Sequence, residues 1–118
     1  MLRKILIPSL ALLLSLTDPA RATEEILTGP AIQTLLSENV FIGQRYDQQT
    51  EQIYRASGDT FYLEGGNQSQ GRWDVRGNEY CSVWPPSTYW SCYAVAKNDD
   101  DIIFIAKNGT RSTSRRRE

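Results

Sequence analysis

Beyond Asn39 the apolar residues recur at every second position rather than at every third or fourth. A period of two marks a strand with one buried face. Residues 40–46, 52–56, 60–64, 72–76, 79–84, 89–97 and 101–107 read this way. In 72–76, Trp73 and Val75 alternate with Arg72, Asp74 and Arg76. Turn-forming residues separate the runs: Ser57-Gly58-Asp59, Gly77-Asn78, Asn98-Asp99-Asp100 and Asn108-Gly109. Gly77-Asn78 is a dipeptide of the kind that closes a tight hairpin. The glycine-rich, polar stretch 65–71 reads as a loop, and the polar end from Ser112 as a frayed tail. Before Asn39 the period differs. Ile32, Leu35 and Leu36 fall on one helical face, Thr28 can cap the helix, and Pro30 sits in its first turn. Asn39 is placed to end it in a left-handed conformation. A helix of about nine residues is too short to stand alone and must dock on the sheet. The pattern predicts a mainly β fold: an antiparallel meander of roughly six to eight strands, curled into a small, partly open barrel. One short N-terminal helix would cover an end.

The start of the chain does not fit this pattern. Arg3 and Lys4 precede an apolar run from Ile5 to Leu16, broken by Pro8, Ser9 and Ser15, and Ala20-Arg21-Ala22 follows. A positive start, an apolar stretch and small residues make a secretory leader over residues 1–22, removed on export. The run is too short to cross a membrane, so no anchor is expected once the leader is gone. Residues 23–110 then form a single β-rich domain and 111–118 a basic, flexible tail. Without Arg3, Lys4, Asp18 and Arg21 the chain keeps 10 basic and 13 acidic residues. The tail holds four arginines and one glutamate, so 23–110 carries 6 basic against 12 acidic residues. An acidic body is a poor partner for nucleic acid or an anionic membrane. The location expected is periplasmic or secreted.

Export also sets the reading of the two cysteines. In an oxidising compartment, Cys81 and Cys92 form one disulfide. If they face each other across adjacent antiparallel strands, Tyr80 meets Tyr93, Val83 meets Trp90, and Trp84 meets Tyr89. Residues 85–88 become a four-residue connection. One face then holds Cys81, Val83, Trp90 and Cys92, and the other holds Tyr80, Trp84, Tyr89 and Tyr93.

The residues Gly71-Arg72-Trp73, Tyr80-Cys81, Trp84 and Trp90-Ser91-Cys92-Tyr93 carry a resemblance. With Leu27-Thr28-Gly29-Pro30, Ile32, Leu35 and Leu36, the chain resembles a family of small exported bacterial proteins of unknown function. That family joins a signal peptide, an LTGP-I--LL segment and a GRW-V----YC--W------C core. The resemblance implies a secreted or periplasmic single domain and brings no activity, substrate or catalytic residue.

The aromatic face is the first candidate site. Tyr80, Trp84, Tyr89 and Tyr93, with Arg72 or Arg76 nearby, would suit a sugar, an envelope polymer or an apolar partner surface. The plainer explanation is that both faces are buried. Among the acids, Glu64, Asp74, Glu79 and the run from Asn98 to Asp101 could supply two carboxylates for glycoside cleavage. A solvated charged face explains them as well. The chain has no histidine, so serine–histidine and cysteine–histidine nucleophile pairs are excluded. With no second cysteine pair, no metal centre is expected, and the acidic run lacks the alternate spacing of a calcium loop. No cofactor is expected. Asn67-Gln68-Ser69 and Asn108-Gly109-Thr110 match glycosylation acceptors and read as turns. Arg115-Arg116-Arg117 could meet an acidic partner, or simply solubilise the end. The leading expectation is a non-catalytic exported binding module. Two others stand beside it: a carrier of a small apolar ligand inside the barrel, and a carboxylate-dependent glycoside hydrolase.

Overall fold

Strands β2 (Asn39–Arg45), β3 (Gln48–Tyr54), β4 (Asp59–Glu64), β5 (Asn67–Arg76), β6 (Glu79–Val83), β7 (Ser91–Asn98), β8 (Asp101–Ile105) and β9 (Arg111–Arg116) each pair antiparallel with the next. The last also pairs with the first, through Phe41↔Arg116, Ile42↔Arg115 and Gly43↔Ser114. The result is a closed eight-stranded barrel, seen in a computed structural model that describes residues 24–118. The leader read over residues 1–22 lies outside the described residues. Closure leaves no free edge within the barrel. A two-residue strand, β1 (Glu25–Ile26), adds to β7 at Lys97 and Ala96, beyond the residues of β7 that pair with β6.

Helix α1 (Gly29–Leu36) covers one end of the barrel. Pro30 occupies its first turn as expected, but the Thr28 side chain makes no capping hydrogen bond. Instead the Gly29 N–H donates to Asn78 Oδ1 at 2.7 Å, in the hairpin between β5 and β6. A Cβ on residue 29 would collide with the Gly77 carbonyl oxygen, so glycine lets the helix sit this close. The left-handed residue after the helix is Glu38 (φ 63°), not Asn39. Asn39 donates its amide to the Leu35 carbonyl at 2.8 Å. Glu38 is held by the Ala56 N–H at 2.6 Å, which lowers its carboxyl pKa, and by Arg55 at 3.3 Å.

The apolar face of α1 buries Ile32 and Leu36 against Leu27, Phe41, Tyr54, Trp73, Tyr80, Val95 and Ile102. Tyr54 is the centre of this core. Its ring lies edge-on to Phe41, Trp73 and Tyr80, with centroids 5.8, 5.6 and 5.7 Å away. The buried Trp73 indole donates to the Arg55 carbonyl at 2.8 Å. The apolar filling thus occupies the half of the barrel nearest the helix.

The barrel is closed rather than partly open, because β9 pairs with β2, and four further expectations change. The polar stretch 65–71 is mostly strand, because only Gly65 and Gly66 turn, at φ 57° and 87°, and β5 begins at Asn67. The tail is not frayed, because 111–116 is the strand that shuts the barrel. The second strand starts at Gln48 rather than Gln52. The ladder around the cysteines stops at Ser82↔Ser91, so Val83–Trp90 and Trp84–Tyr89 do not pair. The chain turns away at Trp84, whose carbonyl accepts the Ser87 N–H at 3.0 Å.

Candidate functional site

Strand alternation points half of each strand's side chains into the barrel. Near the helix these are rings and branched residues. Farther along they become small or polar: Gly43, Thr50, Gln52, Ser69, Ser82, Ser112 and Ser114. Small inward residues cannot fill an eight-stranded barrel, and a lumen of about 1140 Å³ remains. Phe41, Tyr54, Tyr80, Tyr93 and Phe104 form its floor, and the opposite end is open. Tyr80 packs on Phe104 and Tyr93 at centroid distances of 5.2 and 6.0 Å.

A line of polar groups runs from mouth to floor. Trp84 Nε1 donates to Ser82 Oγ at 3.2 Å. Ser82 bonds to the Tyr80 hydroxyl, which Tyr54 also meets. Gln52 Nε2 reaches Tyr80 at 3.3 Å and Thr60 Oγ1 at 3.0 Å. The Thr60 hydroxyl donates to the Ile53 carbonyl at 2.8 Å. Ser114 Oγ is sealed from solvent in the wall with no hydrogen-bond partner among the described residues. At the mouth the Tyr62 hydroxyl donates to Glu64 Oε1 at 3.0 Å, and the Arg45 guanidinium lies 4.0 Å from the same oxygen. Tyr62 sets its ring edge-on to Trp84 at 6.2 Å. Glu64 and Arg45 are the charged residues among those lining the lumen.

Burial raises the pKa of both floor phenols, Tyr54 the more. The unfolded chain would ionise them near pH 10, while the folded barrel keeps them neutral. Their contribution to stability is therefore complete below about pH 10 and is lost as pH rises towards the folded-state values. Urea midpoints measured across that range should fall with rising pH, and Tyr54→Phe should flatten the fall. A midpoint indifferent to alkali would contradict the burial.

The expected site residues divide between two sides of the wall. Tyr80, Trp84 and Tyr93 turn inward and share the lumen. Tyr89, 77 % exposed, stands on the connection between β6 and β7 and does not join them. Arg72 and Arg76 point outward from β5, the first bonded to Asp59 at 3.0 Å and the second stacked 4.1 Å over Trp90. Both line a hollow of about 490 Å³ on the outer wall, with Trp90, Asp74 and Gln33. Cys81 and Cys92 are joined by a disulfide and stand directly opposite each other on β6 and β7. A disulfide suggests an oxidising, extracytoplasmic environment. Among the described residues no helix is long and apolar enough to cross a membrane.

The acids are dispersed. Glu64 stands at the mouth, while Asp74 pairs with Arg76, Glu79 with Lys107 at 2.8 Å, and Asp101 with Arg115 at 2.7 Å. Among the described residues the lumen has one carboxylate, Glu64, where glycoside cleavage uses two. The tail arginines meet the acidic body: Arg111 binds Glu24 at 2.6 Å, and Arg117 binds Glu51 at 2.9 Å. Such exposed pairs contribute little each, but they show where the opposite charges of body and tail meet. Sequence reasoning missed Thr50, Gln52, Tyr62, Ser69, Ser112 and Ser114. Ser69, Ser112 and Ser114 lie in stretches that are polar on both faces, whereas Tyr62 stands between Phe61 and Leu63 and could have been found from strand alternation. Comparison with known protein families, with curated proteins and with solved structures finds no match.

Proposed function

We propose that this protein is a non-catalytic binding protein that holds a small molecule inside its barrel. The observation that carries this reading is the lumen of about 1140 Å³, floored by rings next to the helix and open at the opposite end. Ligand pockets of about 300–1,000 Å³ with a few convergent polar groups are the usual form of small-molecule sites. This reading moves the binding module expected from sequence from an aromatic outer face into the barrel; compared with the alternative of an apolar-ligand carrier, the upper wall of the lumen is polar. The disulfide, the leader read over residues 1–22 and the resemblance to small exported proteins support a periplasmic or secreted location.

Native mass spectrometry of the full mature chain should show a retained small molecule, or one regained on incubation with envelope extract. Binding should change tryptophan fluorescence, and Trp84→Phe should remove most of the change, since Trp73 is in the core and Trp90 on the outer wall. Gly43→Phe, which puts a ring into the lumen, should abolish binding while leaving the disulfide intact; because a Cβ there would meet Thr50 Oγ1 at 3.0 Å and the Thr113 carbonyl at 3.3 Å, Ser112→Phe, at a lining position that already carries a Cβ, serves as a second plug. Binding that survives this substitution would place the ligand elsewhere.

A second reading, docking on a partner, draws on the rim. Tyr46 and Tyr89 are 86 % and 77 % exposed on connections at the open end. Tyr46→Ser with Tyr89→Ser would weaken a docking event and leave occupation of the lumen unchanged.

A further inference from the structure

We infer that the ligand is a neutral, hydroxyl-bearing ring compound of the saccharide class, an assignment that rests on the lumen being the binding site. The argument begins with charge. The charged residues lining the lumen, Arg45 and Glu64, lie against one another at the mouth, and the Tyr62 hydroxyl bonds the same carboxylate. Among the described residues, neither acid nor base is left to neutralise a charged ligand deep in the barrel.

The wall chemistry narrows the class further. Gln48, Gln52, Thr50, Ser82 and Ser112 present amides and hydroxyls, groups that both donate and accept. A ligand hydroxyl also does both, so each contact can be made in either sense. A hydrocarbon chain would strip water from these groups and return no hydrogen bonds, which is unfavourable. An acyl chain is therefore a poor occupant of the upper lumen, although rings floor its lower end.

Trp84 supplies the remaining element. One part of its indole lies against Gly71, where a Cβ would approach Cε3 to 2.7 Å. Its N–H is already engaged by Ser82. What this half-buried side chain can still offer is ring surface, next to Tyr62 at the mouth. Flat aromatic surface beside paired donors and acceptors is suited to the apolar face of a sugar ring. The lumen, at about 1140 Å³, is somewhat larger than the usual small-molecule site of about 300–1,000 Å³, so there is room for more than one ring.

The test titrates the full mature chain calorimetrically with maltose, cellobiose, N,N′-diacetylchitobiose and, separately, lauric acid. At least one neutral disaccharide should bind. Gln52→Leu should weaken it by tenfold or more and improve lauric acid. Gln52 also bonds Thr60 and Tyr80, so Gln48→Leu at the exposed mouth serves as a second variant with little consequence for folding. It should weaken the disaccharide severalfold. Lauric acid binding that both variants leave unchanged or strengthen, with no disaccharide bound, would overturn the ligand class and leave the lumen as a binding site. If neither class binds, the ligand class fails; if native mass spectrometry also finds no retained molecule that Gly43→Phe displaces, the binding reading falls with it.

Discussion

Replacing Tyr54 with alanine is expected to lower stability by about 3–5 kcal/mol, the usual cost of removing a buried aromatic ring. The ring is 2 % exposed and meets Phe41, Trp73 and Tyr80 edge-on, so its loss opens a hole shared by three neighbours. Small domains have only about 5–15 kcal/mol in total, so the variant would sit near the limit of folding at room temperature. Tyr54→Phe keeps the ring contacts and loses the hydroxyl's bond to Tyr80, at about 1 kcal/mol. Urea denaturation separates the two. If Tyr54→Ala cost less than about 1 kcal/mol, the core would have to be centred elsewhere.

The disulfide should be nearly as important. It closes a loop between residues 11 apart in sequence, and chain entropy puts the stabilisation from so short a loop at about 3 kcal/mol. The double substitution Cys81→Ser, Cys92→Ser should lower the melting temperature by more than about 10 °C. Adding reductant to the unsubstituted protein should reproduce the change. The bond also spans the two strands just before their ladder ends at Ser82↔Ser91. Losing it should therefore loosen the connection carrying Pro85, Pro86 and Tyr89 before the rest of the barrel. Melting temperatures that agree with and without reductant would remove this role.

The barrel was legible in the sequence wherever one face of a strand is dry. Trp73 and Val75 alternate with charged neighbours, and Tyr80, Cys81, Cys92 and Tyr93 take the faces and register that pairing the cysteines predicts. It was hidden where a strand turns polar residues both outward and into the lumen. Asn67 to Gln70 and Ser112 to Ser114 have polar residues on both faces, one towards the solvent and one towards the interior space, so they resemble loop and tail. The alternation rule assumes that the inside of a sheet is apolar. The site fared likewise: Tyr80, Trp84 and Tyr93 share the face read for them, but Tyr89 does not join them, because the ladder stops at Ser82↔Ser91 and leaves it on the exposed connection.

The closing strand fixes where this protein can be attached to something else. Arg116 pairs with Phe41, and the Arg117 N–H donates to the Val40 carbonyl at 2.8 Å, both at the pole beneath the helix. A surface linkage or fusion joined after Glu118 would therefore hold the molecule by its shuttered pole. The entrance would face away from the support, which suits immobilised sensing and leaves solute free to enter.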